Sequence, residues 1–314
     1  MDGGYGYDSA GAQGWLNSVW EYSPATGMWT WAGGSETVNA KGVYGTKGVP
    51  AATNIPGARA GGAGPASILR APGNVWLFGG YGYDSTGTPG SLNDLWEYST
   101  TSGEWTWVAG PDTANANAVY GTQGVAAVTN VPPPGVILGW TDANGNLWAF
   151  GGNGQAATGA AGYLNDLWEY SPANDEWTWV SGSATANARG VYGTQGVAAA
   201  TNMPGARDDE AYWTDASGNL WLFGGYGYDS AGALGELNDV WKYSPATAMW
   251  TWVAGSDTAN ANGVYGTFGL AAAANIPGAR EVTATWVENG DVWLFGGWVY
   301  NSPSWNDLWK YPIQ

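Results

Sequence analysis

Four sets of residues in this chain have types and spacings that could do chemistry. Asp208, Asp209 and Glu210 follow Arg207 in one place only, and two carboxylates at a set separation around a cleft are what glycoside hydrolysis needs. A solvated charged turn is the simpler reading of these acids and the one expected. Arg59, Arg207 and Arg280 recur in Pro-Gly-Ala-Arg and make up a third of the 9 basic residues. Converging arginines could clamp an anion. Pairing with the repeated acids Asp94, Asp239 and Asp307 is the favoured alternative, because buried arginine is nearly always paired. Pro134-Gly135-Val136 lacks the arginine, so a clamp would be asymmetric. Tyr5/Tyr7, Tyr81/Tyr83 and Tyr226/Tyr228 offer flat platforms for sugar rings, with packing under loops as the competing role. The corresponding third stretch reads Asn153-Gly154-Gln155. Lastly, Asp112 to Asn117 and Asp257 to Asn262 supply oxygens that calcium could use, but without the spacing of a calcium loop. We therefore expect no cofactor and no metal.

Composition removes whole classes of activity. The chain has no Cys and no His, so thiol chemistry, disulfides and the commonest general base and metal ligand are all missing. Charged residues are 11% of the 314, and a formal charge of -17 repels phosphate backbones and anionic lipid head groups. Nucleic acid is not an expected partner. No apolar run approaches the ~20 residues of a membrane span, so membrane insertion is not expected either. The first residues show no basic and apolar leader, and Gly3 to Ser9 matches Gly79 to Ser85 and Gly224 to Ser230. This start inside a repeat suggests a fragment of a longer chain.

The elements that must position these residues come in copies. Double glycines fall at Gly79/Gly80, Gly151/Gly152, Gly224/Gly225 and Gly296/Gly297, at intervals of 72, 73 and 72 residues. Such regularity marks an array of equal units, here expected to form one domain over residues 1–314. With 52 Gly, 16 Pro, 23 Trp and 18 Tyr the units read as all-β. In the best-formed unit, alternation predicts strand a at Ala211 to Thr214, b at Leu220 to Phe223, c at Asp239 to Tyr243 and d at Trp250 to Val253. The turn Asp215 to Asn219 joins a to b, and Asp142 to Asn146 repeats it. Each unit is thus a four-stranded antiparallel meander with bulky apolar groups on both faces, which calls for neighbours on both sides.

The apolar strand ending in Gly-Gly, followed by a Tyr and a Trp with six residues between them, resembles the kelch-repeat β-propellers. The pairs are Tyr22/Trp29, Tyr98/Trp105, Tyr170/Trp177 and Tyr243/Trp250, and the match spans nearly the whole chain. The unit departs from the family by about twenty-five extra residues between d and the next a, typified by Gly190 to Gly196. The resemblance implies blades packed by their repeated Trp and Tyr and a ring completed by strands from both termini. It also brings galactose oxidase to mind, whose copper site requires the His and Cys this chain lacks.

Strand counting leaves a remainder. Strand c occurs five times, at Ser18, Asp94, Asp166, Asp239 and Asp307, whereas a (near Ala60, Val136, Asp209 and Val282), b and d each occur four times. The reading is four blade equivalents plus a surplus strand, with five blades, one of them incomplete, as the alternative. In a meander the b–c and d–a connections share one end of the sheet, and that long-loop side is the expected binding face. Its candidate residues are Tyr81, Tyr83, Asp84, Tyr226, Tyr228 and Asp229, with Tyr120, Tyr192 and Tyr265 from the inserts. The expected activity is non-catalytic binding of a glycan or protein by a secreted or cell-surface protein. Two alternatives stand beside it: self-assembly through a surplus terminal strand, and a carbohydrate-active enzyme working with carboxylates alone.

Overall fold

Alternating bulky and small side chains, broken by glycine, produce strands and no helix among the described residues of the computed structural model, which are 2–60, 67–71, 73–135, 137–299 and 304–313. Val136, expected to open a strand a, lies outside them. The chain divides into two compact units, Met1–Leu138 with Tyr170–Thr178, and Gly139–Glu169 with Trp179–Gln314.

The strands of the first unit are β1 (Asp2–Tyr7), β2 (Gln13–Ser23), β3 (Met28–Gly33), β4 (Arg59–Ala60), β5 (Ser67–Ala71), β6 (Asn74–Tyr83), β7 (Pro89–Ser99) and β8 (Glu104–Ala109). Next come β9 (Ile137–Thr141), β10 (Leu147–Phe150), β11 (Asn153–Gln155), β12 (Ala161–Tyr163), β13 (Leu167–Ser171) and β14 (Glu176–Ser181). The second unit continues with β15 (Arg207–Asp208), β16 (Ala211–Thr214), β17 (Leu220–Phe223), β18 (Tyr226–Tyr228), β19 (Leu234–Glu236), β20 (Val240–Ser244), β21 (Met249–Ala254), β22 (Ala284–Glu288), β23 (Asp291–Phe295) and β24 (Leu308–Pro312).

Antiparallel meanders follow the expected order: β16-β17-β20-β21 form one four-stranded sheet, and β9, β10, β13 and β14 form another in the same order. Strands a and b of the best-formed unit fall where alternation puts them, and c and d differ by about one residue at their ends. The b–c connections differ from expectation. Instead of open loops they are hairpins: β18 pairs with β19 from Tyr226↔Glu236 to Tyr228↔Leu234, and β15 joins their outer edge. The double glycine makes this possible. Gly224 and Gly225 have φ of 66° and 91°, and a Cβ on Gly225 would lie 2.5 Å from the Asp208 carbonyl. The chain therefore turns out of one sheet and starts a second in two residues that only glycine fits at low cost.

Each unit has its own core. In the second, Trp148, Phe150, Leu220, Trp241, Tyr243 and Trp250 form one buried cluster, and Trp213, Trp221, Phe223, Val292 and Leu294 form another. In the first, Leu77, Trp96, Tyr98 and Trp105 do the same. The terminal sheets are different. One holds only β1-β2-β3 and the other only β22-β23-β24, so the closure expected from strands of both termini is not part of the described pairing.

Candidate functional site

The repeated arginines are placed as internal locks. Arg207 Nη1 donates to Asp239 Oδ1 at 2.6 Å and Nη2 to Oδ2 at 2.8 Å, while Nε and Nη1 also reach the Gly205 and Gly224 carbonyls. Tyr192 Oη and Trp241 Nε1 donate to the same carboxylate, at 2.6 and 2.7 Å. Arg59 with Asp94 repeats this arrangement, and so does Arg280 with Asp307. An anion clamp on Arg59, Arg207 and Arg280 gives way to this bidentate pairing, because a guanidinium at 0 to 1% exposure must be neutralised where it lies.

The inserts are locked too. Tyr192 and Tyr120 are buried, not displayed for binding, whereas Tyr265 is exposed and donates to Asp307 at 2.7 Å. Asp84 and Asp229 are also buried, each organising its hairpin turn and the following insert. Asp84 accepts from the Thr86, Thr88 and Ala114 amides, and Asp229 from those of Ala231, Ala233 and Ala259. Burial pushes the Asp84 carboxyl up, but these donors outweigh it and hold the group at about 2. The asparagines that looked like calcium ligands act as staples. The Oδ1 atoms of Asn115 and Asn260 accept from the amides of Ser91 and Glu236 at 3.0 and 3.1 Å. Asn39 and Asn187 do the same for Trp15 and Tyr163.

Those four stapled residues mark a position that the sequence reading did not single out. In the constant frame Gly-x-Leu-Asn, x is Trp15, Ser91, Tyr163 and Glu236. The signal was visible as one variable site among invariant neighbours. In the first unit the Trp15 ring lies 6.1 Å from Tyr5, 5.4 Å from Tyr81 and 5.7 Å from Tyr83. Tyr5, Tyr7 and Tyr81 are 61, 70 and 40% exposed, so the group forms an open aromatic shelf. In the second unit Tyr163 meets Tyr226 and Tyr228 at 5.7 and 6.2 Å. Glu236 instead lines a small cavity of about 140 Å³ with Asn260, Asn262, Gly278, Val299 and Trp305.

The acids Asp208 to Glu210 are not a solvated turn. Asp208, Glu210 and Glu281 are buried and Asp209 is half-buried, because Asp208 belongs to β15 and Glu210 directly precedes β16. One carboxylate oxygen each of Asp208, Asp209 and Glu281 lies within 4.8 Å of the others, close enough for their charges to couple strongly. Burial, then the charges of Asp209 and Glu281, raises Asp208 to about 7. Burial, then Asp209 and Glu236, raises Glu281 to about 7. Burial raises Glu210 to about 8 against the opposing effects of the Tyr212 hydroxyl, which donates to its Oε1, and of Arg207. Glu281 is the member the sequence did not offer; it occupies in the next repeat the place that Asp208 has in its own.

Compared with models of protein families and with curated proteins, the chain matches none.

Proposed function

We propose that this protein is a non-catalytic binding module, built of kelch-type blades in a secreted or cell-surface protein, and that it takes neutral carbohydrate on the shelf of Tyr5, Tyr7, Trp15 and Tyr81. The observation that carries this reading is the shelf itself. Large rings left open in a cluster signal a binding surface, and tyrosine joins an apolar face to a polar tip that suits a sugar's C–H face and hydroxyls. The formal charge of -17 and the internal commitment of the arginines favour neutral over acidic glycans.

The test is a screen of neutral glycans and polysaccharides by tryptophan fluorescence and affinity electrophoresis. Trp15→Ala and Tyr81→Ala are expected to weaken a detected interaction about tenfold or more, the equivalent of roughly 1.4 kcal/mol, without lowering the melting temperature. If no glycan binds, or if both variants bind as the parent does, the reading fails.

A further inference from the structure

The two units carry the same three-stranded frame with different side chains on one of its faces. In the first, β4, β6 and β7 put Ala60, Tyr81 and Ser91 side by side, because Ala60 pairs with Tyr81 and Tyr81 with Ser91. In the second, β15, β18 and β19 put Asp208, Tyr226 and Glu236 at the same places, through the pairs Asp208↔Tyr226 and Tyr226↔Glu236. Residues paired directly across antiparallel strands share a face and stand about 5 Å apart. A neutral row in one unit is thus a tyrosine bracketed by two carboxylates in the other. The pattern recurs in the next repeat, where Glu281 is bridged to Trp298 as Asp208 is paired with Tyr226.

Rings and charges converge on this row. Tyr163 meets Tyr226 and Tyr228 as Trp15 meets Tyr81 and Tyr83 in the first unit, and all three tyrosines are partly open to solvent. Burial, then the charges of Asp208, Tyr226 and Glu281, push the Tyr163 hydroxyl up, which places it within range of both acids. Asp208 and Glu281 are 7 and 6% exposed, and neither carboxylate accepts a hydrogen bond from another of the described residues. Arg207 and Arg280, their neighbours along the chain, are held by Asp239 and Asp307. Buried carboxylates are ordinarily matched by a cation or by donors. Asp208 and Glu281 offer the acceptor half of such a match, beside open aromatic rings.

We propose that this face of the second unit binds a small organic ligand through a protonated amine, the ammonium lying against Tyr226 and Tyr163 with Asp208 and Glu236 on either side. The face of a tyrosine ring attracts an ammonium electrostatically, more strongly where water is excluded, and the flanking carboxylates add their charge. The rings favour an ammonium over a metal ion, because hard divalent cations take oxygen ligands and gain nothing from an aromatic face. A formal charge of -17 draws cations to the chain as a whole. Ala60, Tyr81 and Ser91 keep the ring without the acids, so one frame separates neutral from cationic ligands by two residues. The site lies wholly in the second unit and does not rest on the carbohydrate reading of the first.

Isothermal titration calorimetry at neutral pH and low salt tests this, with glucosamine and cadaverine as the amines, N-acetylglucosamine as the uncharged control and calcium chloride as the metal control. At least one amine is expected to bind, about tenfold or more tightly than N-acetylglucosamine, and to bind more weakly as salt is added. Which of the two binds distinguishes a ring-borne from a chain-borne ammonium. Asp208→Asn combined with Glu236→Gln is expected to weaken that binding about tenfold or more while the melting temperature holds or rises, because repulsion among the acids is relieved. Tyr226→Leu keeps the acids, removes the ring and is expected to weaken the amine as well. Silence of both amines overturns the proposal, with or without a calcium signal. So does N-acetylglucosamine binding as tightly as the amine, or a double variant that binds the amine as the parent does.

Discussion

Asp239→Asn tests whether the Arg–Asp lock holds the second unit together. The carboxylate and Arg207 are both at 0% exposure, and Asp239 accepts four hydrogen bonds from Arg207, Tyr192 and Trp241. An amide of the same shape keeps one acceptor oxygen but leaves the guanidinium charge buried without a counter-charge. Breaking a buried pair in this way costs about 3–5 kcal/mol. Adding Arg207→Met removes the stranded charge, so the double variant is expected to recover more than about 1 kcal/mol relative to additivity. Asp307→Asn is the internal control, because Asp307 is 16% exposed and water can replace part of what is lost; its penalty should be smaller. Urea unfolding followed by tryptophan fluorescence reads five proteins: the parent, Asp239→Asn, Arg207→Met, the double variant and Asp307→Asn. A loss below about 1 kcal/mol for Asp239→Asn, or no coupling with Arg207→Met, would refute the view of this pair as the structural lock.

Other consequences can be measured as directly. The raised pKa values of Glu210, Asp208 and Glu281 (about 8, 7 and 7, against ordinary values of 4.5, 3.8 and 4.5) mean that the folded chain binds more protons than the unfolded one between those limits. Stability from this cluster is therefore full below about pH 4 and lost as the pH rises to about 8, so the melting temperature should fall across that window. Glu210→Gln should flatten the slope and raise the melting temperature at the alkaline end. Gly205→Ala would place a Cβ 1.7 Å from the Tyr228 carbonyl, and we expect a loss of about 1–3 kcal/mol or more in urea titration. Tyr226→Ala, in the second unit, should leave binding to the shelf of the first unit unchanged in the glycan screen.

Much of this could be read along the chain. Strands b and d at Leu220 to Phe223 and near Trp250 are local events, fixed by alternation and by where glycine stops the run, and the sequence carries both signals. The pairing of Arg207 with Asp239 was legible as well, because both recur in register with the repeat and a buried cation requires an anion. Contacts between repeats were not. Nothing local says that Glu281, one repeat away, shares its surroundings with Asp208, or that Asp208 to Glu210 lie inside instead of in solvent. Nor does it say that Trp15 reaches Tyr81. Identical copies fix what each strand is, whereas the few residues in which copies differ gain meaning only from what the neighbouring sheet places against them. Tyr243 and Trp250 show this most simply: the pair sits 5.1 Å apart, as Tyr22 and Trp29 do, and is buried where Trp148 and Phe150 of another strand lie against it.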